Sequence, residues 1–120
     1  MKLIVNELTE RFKEVGDQSA SQDPLFIVKF FNPCGSETWY ATEYDAKTNI
    51  CFGYVTGMFV DEWGNFSVNE LEDLKLPFGL RIERDIHFKE TPSSCIIQKN
   101  RATELMKSKS KKGLENEIEH

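Results

Sequence analysis

Residues Cys51–Lys89 read CFGYVTGMFVDEWGNFSVNELEDLKLPFGLRIERDIHFK, and the fold is decided there. Ile50–Gly57 reads as a strand in which Gly53 and Gly57 mark bulges or close backbone contacts. Met58–Phe66 predicts a fourth strand, or a hairpin turning at Gly64-Asn65, a pair suited to positive φ. Ser67-Val68-Asn69-Glu70 fits a capping box, in which hydroxyl and carboxylate each satisfy an amide left unpaired at a helix start. Val68, Leu71 and Leu74 give a helix over 67–74 its apolar stripe, and Pro77 ends it. Leu80–Phe88 then alternates, with Leu80, Ile82, Ile86 and Phe88 inward and Arg81, Glu83, Asp85 and His87 outward. Arg84 falls in phase with the inward set. Burying it unpaired costs several kcal/mol, so it either pairs with a carboxylate, Glu43 or Glu62, which is the expected case, or binds an anion.

Upstream, Leu3–Val15 predicts a helix. Leu8, Phe12 and Val15 form one stripe, Asn6 is its N-cap candidate, and Gly16 is where it stops. Asp17–Asp23 is a small, polar surface loop, and Leu25–Phe31 reads as a strand buried on both faces. After a turn at Asn32, Pro33 and Gly35, Glu37–Tyr44 forms the next strand. Trp39 and Tyr40 point to opposite faces of it, so at least one is expected at an edge or in a groove. Downstream of Thr91-Pro92 the chain turns polar, and Ala102–Lys112 predicts a marginal helix. Helices that do not alternate with strands indicate an α+β domain: a mostly antiparallel sheet of four to five strands, with the N-terminal helix and the short capped helix packed on it. The expected domain covers residues 1–92, and 93–120 are expected to be a polar, partly basic tail, marginally helical or disordered.

A chain of 120 residues with 39% apolar and 12% aromatic content is one globular domain, able to fold without a metal or disulfide. Cys34, Cys51 and Cys95 are an odd count without CxxC spacing, which points to a reducing compartment. His87 and His120 lack the spacing of zinc ligands, His87 reads as a surface residue, and Cys51 reads as core; no cofactor is expected. The N-terminal apolar run is too short for a signal peptide, and no stretch approaches a membrane span, so the expected location is cytoplasmic. Residues 1–98 hold nine basic and sixteen acidic side chains, whereas residues 99–112 hold six basic ones against Glu104. Such a tail is a candidate for salt-dependent contact with nucleic acid, or simply a solvated helix end.

Two constellations bear on function. Trp39, Tyr40, Glu43, Glu62, Trp63 and Arg84 outline an acidic, aromatic groove. Rings on a sheet can stack bases, but that mode needs cations between them, and here the neighbours are acidic. Such a groove suits a basic protein segment, and the leading expectation is a non-catalytic interaction module with a protein partner. The alternative gathers Glu43, Asp61, Glu62, Glu83 and Asp85 on one rim as oxygen ligands for Mg²⁺ or Mn²⁺, with Lys89 as a nearby basic group. Two-metal phosphodiester hydrolysis would be the matching chemistry.

The ordered combination FIVKFFNP, TWYATEYD, FGYVTG, EWGNFSVNELEDL and LPFGLRIERDIHFKETP resembles the small bacterial proteins of domain of unknown function family 2958. The resemblance covers residues 3–92 and implies an origin on plasmids, conjugative transposons and related mobile elements. It implies no catalytic residue, since the family has no established activity.

Overall fold

The computed structural model describes residues 1–101 of the chain. Helix α1 spans Asn6–Val15, and six strands with one further helix follow before the last short strand. They are β1 (Leu25–Phe26), β2 (Val28–Phe31), β3 (Thr38–Asp45), β4 (Ile50–Thr56), β5 (Glu62–Ser67), α2 (Val68–Asp73), β6 (Glu83–Arg84) and β7 (Thr91–Pro92). Residues 93–101 are helical and are labelled α3. The main sheet is antiparallel throughout, in the order β5-β4-β3-β2-β6, and β1 pairs with β7 in a separate two-stranded ribbon. The α+β class and the antiparallel sheet with an N-terminal helix are as expected.

One face of the sheet carries α1 and α2. Leu3, Phe12, Val68 and Leu71 pack there against Phe30, Trp39, Ala41 and Cys51. On the other face Phe26, Tyr40 and Tyr54 form a second cluster, covered by Phe88 and by Ile96 and Ile97 of α3. The expected single strand over Leu25–Phe31 is broken at Ile27, whose amide donates to Ala41 O at 2.9 Å. Phe26 thereby enters the second cluster, while Ile27 and Val28, adjacent in sequence, both enter the first. A continuous strand cannot do that, because its side chains alternate. A bulge in β3 answers the break: Ala41 pairs with Gly53 and Glu43 with Phe52, leaving Thr42 extra. Gln18 from the preceding loop fills the gap, its side-chain amide donating to Leu25 O and Thr42 O, each at 2.9 Å.

Four boundaries differ from expectation for local reasons. Helix α1 starts at Asn6 with Val5 as its N-cap, because Leu3 and Ile4 are buried, with the Leu3 amide donating to Glu72 at 3.0 Å. The β4–β5 turn lies at 57–61, not at Gly64-Asn65, which pair with Gly53 and Phe52 inside β5. Gly57 supplies the positive φ (83°), and a side chain there would strike Ser36 O. Helix α2 keeps the serine half of the expected box, Ser67 Oγ accepting from the Glu70 amide at 3.2 Å, but ends at Asp73. Leu80–Phe88 contributes only the two-residue β6, since the Asp85 side chain accepts from the His87 amide at 2.9 Å and turns the chain.

Beyond residue 92 the chain continues directly into α3, with Ser93 buried and Asp23 at its N-terminus. Asp23 accepts from the Ser94 amide (2.9 Å) and from both Ser93 and Ser94 hydroxyls (3.0 and 2.7 Å). The marginal helix expected over 102–112 and most of the basic run lie outside the described residues. Among the described residues no helix is long and apolar enough to cross a membrane.

Candidate functional site

The sheet divides the expected groove between its two faces. Trp39, Val55 and Glu62 are cross-strand neighbours on the α1–α2 face; Tyr40, Tyr54 and Trp63 form the next row, on the α3 face. Glu43 lies four residues along β3 from Trp39, roughly 10–13 Å away at ~3.3 Å per residue. Trp39 and Tyr40 are only 4% and 8% exposed; Tyr40 is covered, and what remains open of Trp39 lines a pocket along β5. The cause is topological: β3 is the central strand, and both faces of it are covered. Trp63, on the edge strand, is the open ring, stacked near-parallel on Phe52 at 5.9 Å and set against Phe26 and Tyr54.

Arg84 does not meet Glu43 or Glu62. Its Nη1 donates to the carbonyls of Lys2 (3.0 Å) and Leu3 (2.9 Å), and its amide donates to Met1 Sδ at 3.4 Å. A guanidinium carries donors in a fixed fork, and two backbone acceptors satisfy it without a carboxylate. The residue closes the sheet edge over the N-terminus and lines no common site with Trp63.

The five carboxylates of the alternative reading are dispersed. Glu43 accepts from the Gln18 amide at 2.9 Å, and burial, aided by neighbouring Asp17, pushes its carboxyl above the usual range. Asp61 accepts from the Gly57 amide at 3.2 Å, closing the 57–61 turn, while Glu62 projects from β5. Asp85 pairs with Lys29 at 3.5 Å. Glu83 sits on β6, at the opposite sheet edge from Glu62, about 19 Å away over four strand spacings of ~4.8 Å. Among the described residues no three Asp, Glu, His or Cys side chains are grouped as metal ligands. His87 is exposed beside the Asp85 turn, a surface residue as expected, and burial pushes the Cys51 thiol up to about 12, where it is inert as a nucleophile.

What the structure does bring together was not expected. Three turns meet at one end of the sheet: Ser36 Oγ donates to Gly57 O at 2.9 Å, and Cys34 Sγ approaches Pro77 O at 3.8 Å. That end displays Met58, Phe59 and Val60, with Phe59 wholly exposed, and Phe78, nearly as exposed and held at φ 62°. A non-glycine residue of that bulk at positive φ is strained, which is a mark of functional positions. Beside Phe59 an open pocket of about 460 Å³ runs along β5, walled by Trp39, Val55, Met58, Glu62 and Phe66 among others. A contiguous exposed apolar region around a concavity is an interaction surface more often than a defect. Its sequence signal was the run Met58-Phe59-Val60 directly after a glycine, read as strand because apolar runs of that length fit either reading.

The family model described as Protein of unknown function (DUF2958) matches residues 3–106, and so runs through the described part of α3. No curated protein and no solved structure matches the chain.

Proposed function

The chain belongs to the DUF2958 family, and on that footing we propose that it is a non-catalytic accessory module of a mobile genetic element that binds a protein partner in the cytoplasm. The mobile-element setting follows from the motif resemblance, and the compartment from three cysteines that form no disulfide. The observation that carries the binding role is the open pocket beside Phe59, flanked by Met58, Val60 and Glu62. Of the six residues expected in the groove, Trp39, Glu62 and Trp63 line this pocket; Tyr40, Glu43 and Arg84 do not. The partner surface therefore moves from the middle of β3 to the β5 end of the sheet. The dispersal of the carboxylates, with Glu62 and Glu83 on opposite edges, favours the binding reading over hydrolysis by a carboxylate cluster.

Affinity capture from the bacterial host tests the binding role, with the wild-type chain compared against Phe59→Ser. Proteins retained by the wild type and lost by a Phe59→Ser chain of unchanged melting temperature support it. Identical captured sets overturn it. A melting temperature raised by Mn²⁺ and returned to baseline by Glu83→Gln would instead restore the metal-dependent reading.

A further inference from the structure

We propose that the outer edge of β5 accepts an extended, basic segment of a partner protein as an added antiparallel or parallel strand, which rests on the binding role proposed above and specifies its mode and its ligand class. An exposed edge presents a row of amide and carbonyl groups ready to pair, and proteins normally blunt it with charged side chains, prolines, bulges, very short strands or a covering element. Of these devices β5 carries one charge, Glu62, at its first residue. Glu62–Ser67 pairs with β4 over six residues without a register shift, contains neither proline nor a basic residue, and has no strand beyond it among the described residues. The opposite edge, β6, shows the usual devices in full: two residues of strand, an amide donating to Met1 Sδ, and a salt bridge from Lys29 to Asp85 beside it.

Strand addition takes affinity from main-chain hydrogen bonds and specificity from pockets that receive alternate side chains. The pocket here lies along that edge, lined by five consecutive β5 residues from Glu62 to Phe66. Its floor is apolar, with Trp39, Val55 and Phe66, and Glu62 is the charged residue of its wall. Glu62 has no ion-pair or hydrogen-bond partner among the described residues. An incoming strand that places an apolar side chain in the pocket and a lysine or arginine beside Glu62 matches both features. The net charge of −5 favours the same class of ligand and opposes a second copy of the chain. Self-pairing of β5 about Gly64 also sets each Glu62 against Phe66 of the other copy, which leaves its charge unanswered.

The test is selection from a library of random peptides of about nine residues against the immobilised full-length chain, long enough to span the edge. Apolar residues alternating with lysine or arginine are the expected pattern. N-methylating the alternate amides on one edge of a selected peptide should weaken binding by about tenfold or more, while methylating the other set should not. Glu62→Lys, on an exposed side chain that the fold does not use, should weaken it comparably with unchanged melting. Peptides indifferent to both methylation patterns overturn strand addition while leaving partner binding intact. Selected peptides without basic residues overturn the ligand class. A peptide-free chain that sediments as a dimer, and becomes monomeric in Glu62→Lys, gives the edge to a second copy and overturns the proposal. A library yielding no binder overturns it too, and the capture comparison with Phe59→Ser then decides the binding role separately.

Discussion

At one edge of the sheet, β6 is two residues long and is held under the N-terminus by Arg84, whose guanidinium spans the carbonyls of Lys2 and Leu3. At the other, β5 runs for six residues beside an open pocket and follows a loop that exposes Met58, Phe59 and Val60. The same chain thus closes one edge with local chemistry and leaves the other open. An unprotected edge invites pairing with another chain, which is the ground for the strand addition proposed at β5. The contrast supports the proposed partner surface better than residue type does, because acids and aromatics occur on both edges.

The sharpest probe of the contrast is a pair of glycines facing each other across β4 and β5. Gly53 and Gly64 are register partners, but a side chain at Gly53 would strike Tyr40 O, whereas nothing stands near the same position at Gly64. Gly53→Ala should therefore cost about 2–3 kcal/mol in denaturant unfolding, as overpacking does. Gly64→Ala should shift stability by less than about 1 kcal/mol, and toward the folded state, because glycine weakens a strand. Equal losses at the two positions would mean that the β5 side is as enclosed as the interior.

Arg84→Met comes next. It removes charge-assisted bonds to two carbonyls and should cost about 1–2 kcal/mol, with Lys2 and Leu3 released from β6. An unchanged unfolding curve would make that edge as open as β5. Phe59→Ser, at the open edge, should leave stability within about 0.5 kcal/mol of the wild type, as substitutions at exposed sites without partners do. A large loss there would place Phe59 in the packing of the domain and not at a partner surface.

How much of this was legible depended on the range of the interaction. The Ser67 cap and the close approach at Gly53 were legible, since hydroxyl-to-amide geometry and the lack of a Cβ act within a few residues. Leu80–Phe88 alternated convincingly, yet alternation makes a strand only where a neighbour supplies hydrogen bonds, and β2 reaches only Glu83 and Arg84. Gly64-Asn65 looked like a turn because its composition permits positive φ; Gly57, pinned between Ser36 and Asp61, took the turn instead. Burial of both Trp39 and Tyr40 followed from strand order, which no local pattern encodes. For the same reason the expected groove was composed of the right residue types placed on two faces. The packing of α3 was hidden because Ile96 and Ile97 sit in an otherwise polar stretch, and its cap, Asp23, lies about seventy residues earlier.

That distant cap gives the smallest effect, and it acts beside the open edge. Asn100 and Arg101 of α3 share a pocket with Phe59 and Asp61, so the seating of α3 sets one wall near the β5 end. Bonds from the side chain and amide of Ser94 hold the Asp23 carboxyl below the usual aspartate range. A carboxylate with a depressed folded pKa contributes stability that is complete above its unfolded pKa and is lost as pH falls through the folded one. Amide protection at residues 95–97 should therefore decline below the ordinary aspartate range while that of β3 and β4 persists. Asp23→Ala should show the reduced protection already at neutral pH, with little further change on acidification. If α3 and the sheet instead lost protection together in both chains, α3 would unfold with the core as one unit, and the wall it forms beside Phe59 would be as fixed as the closed β6 edge.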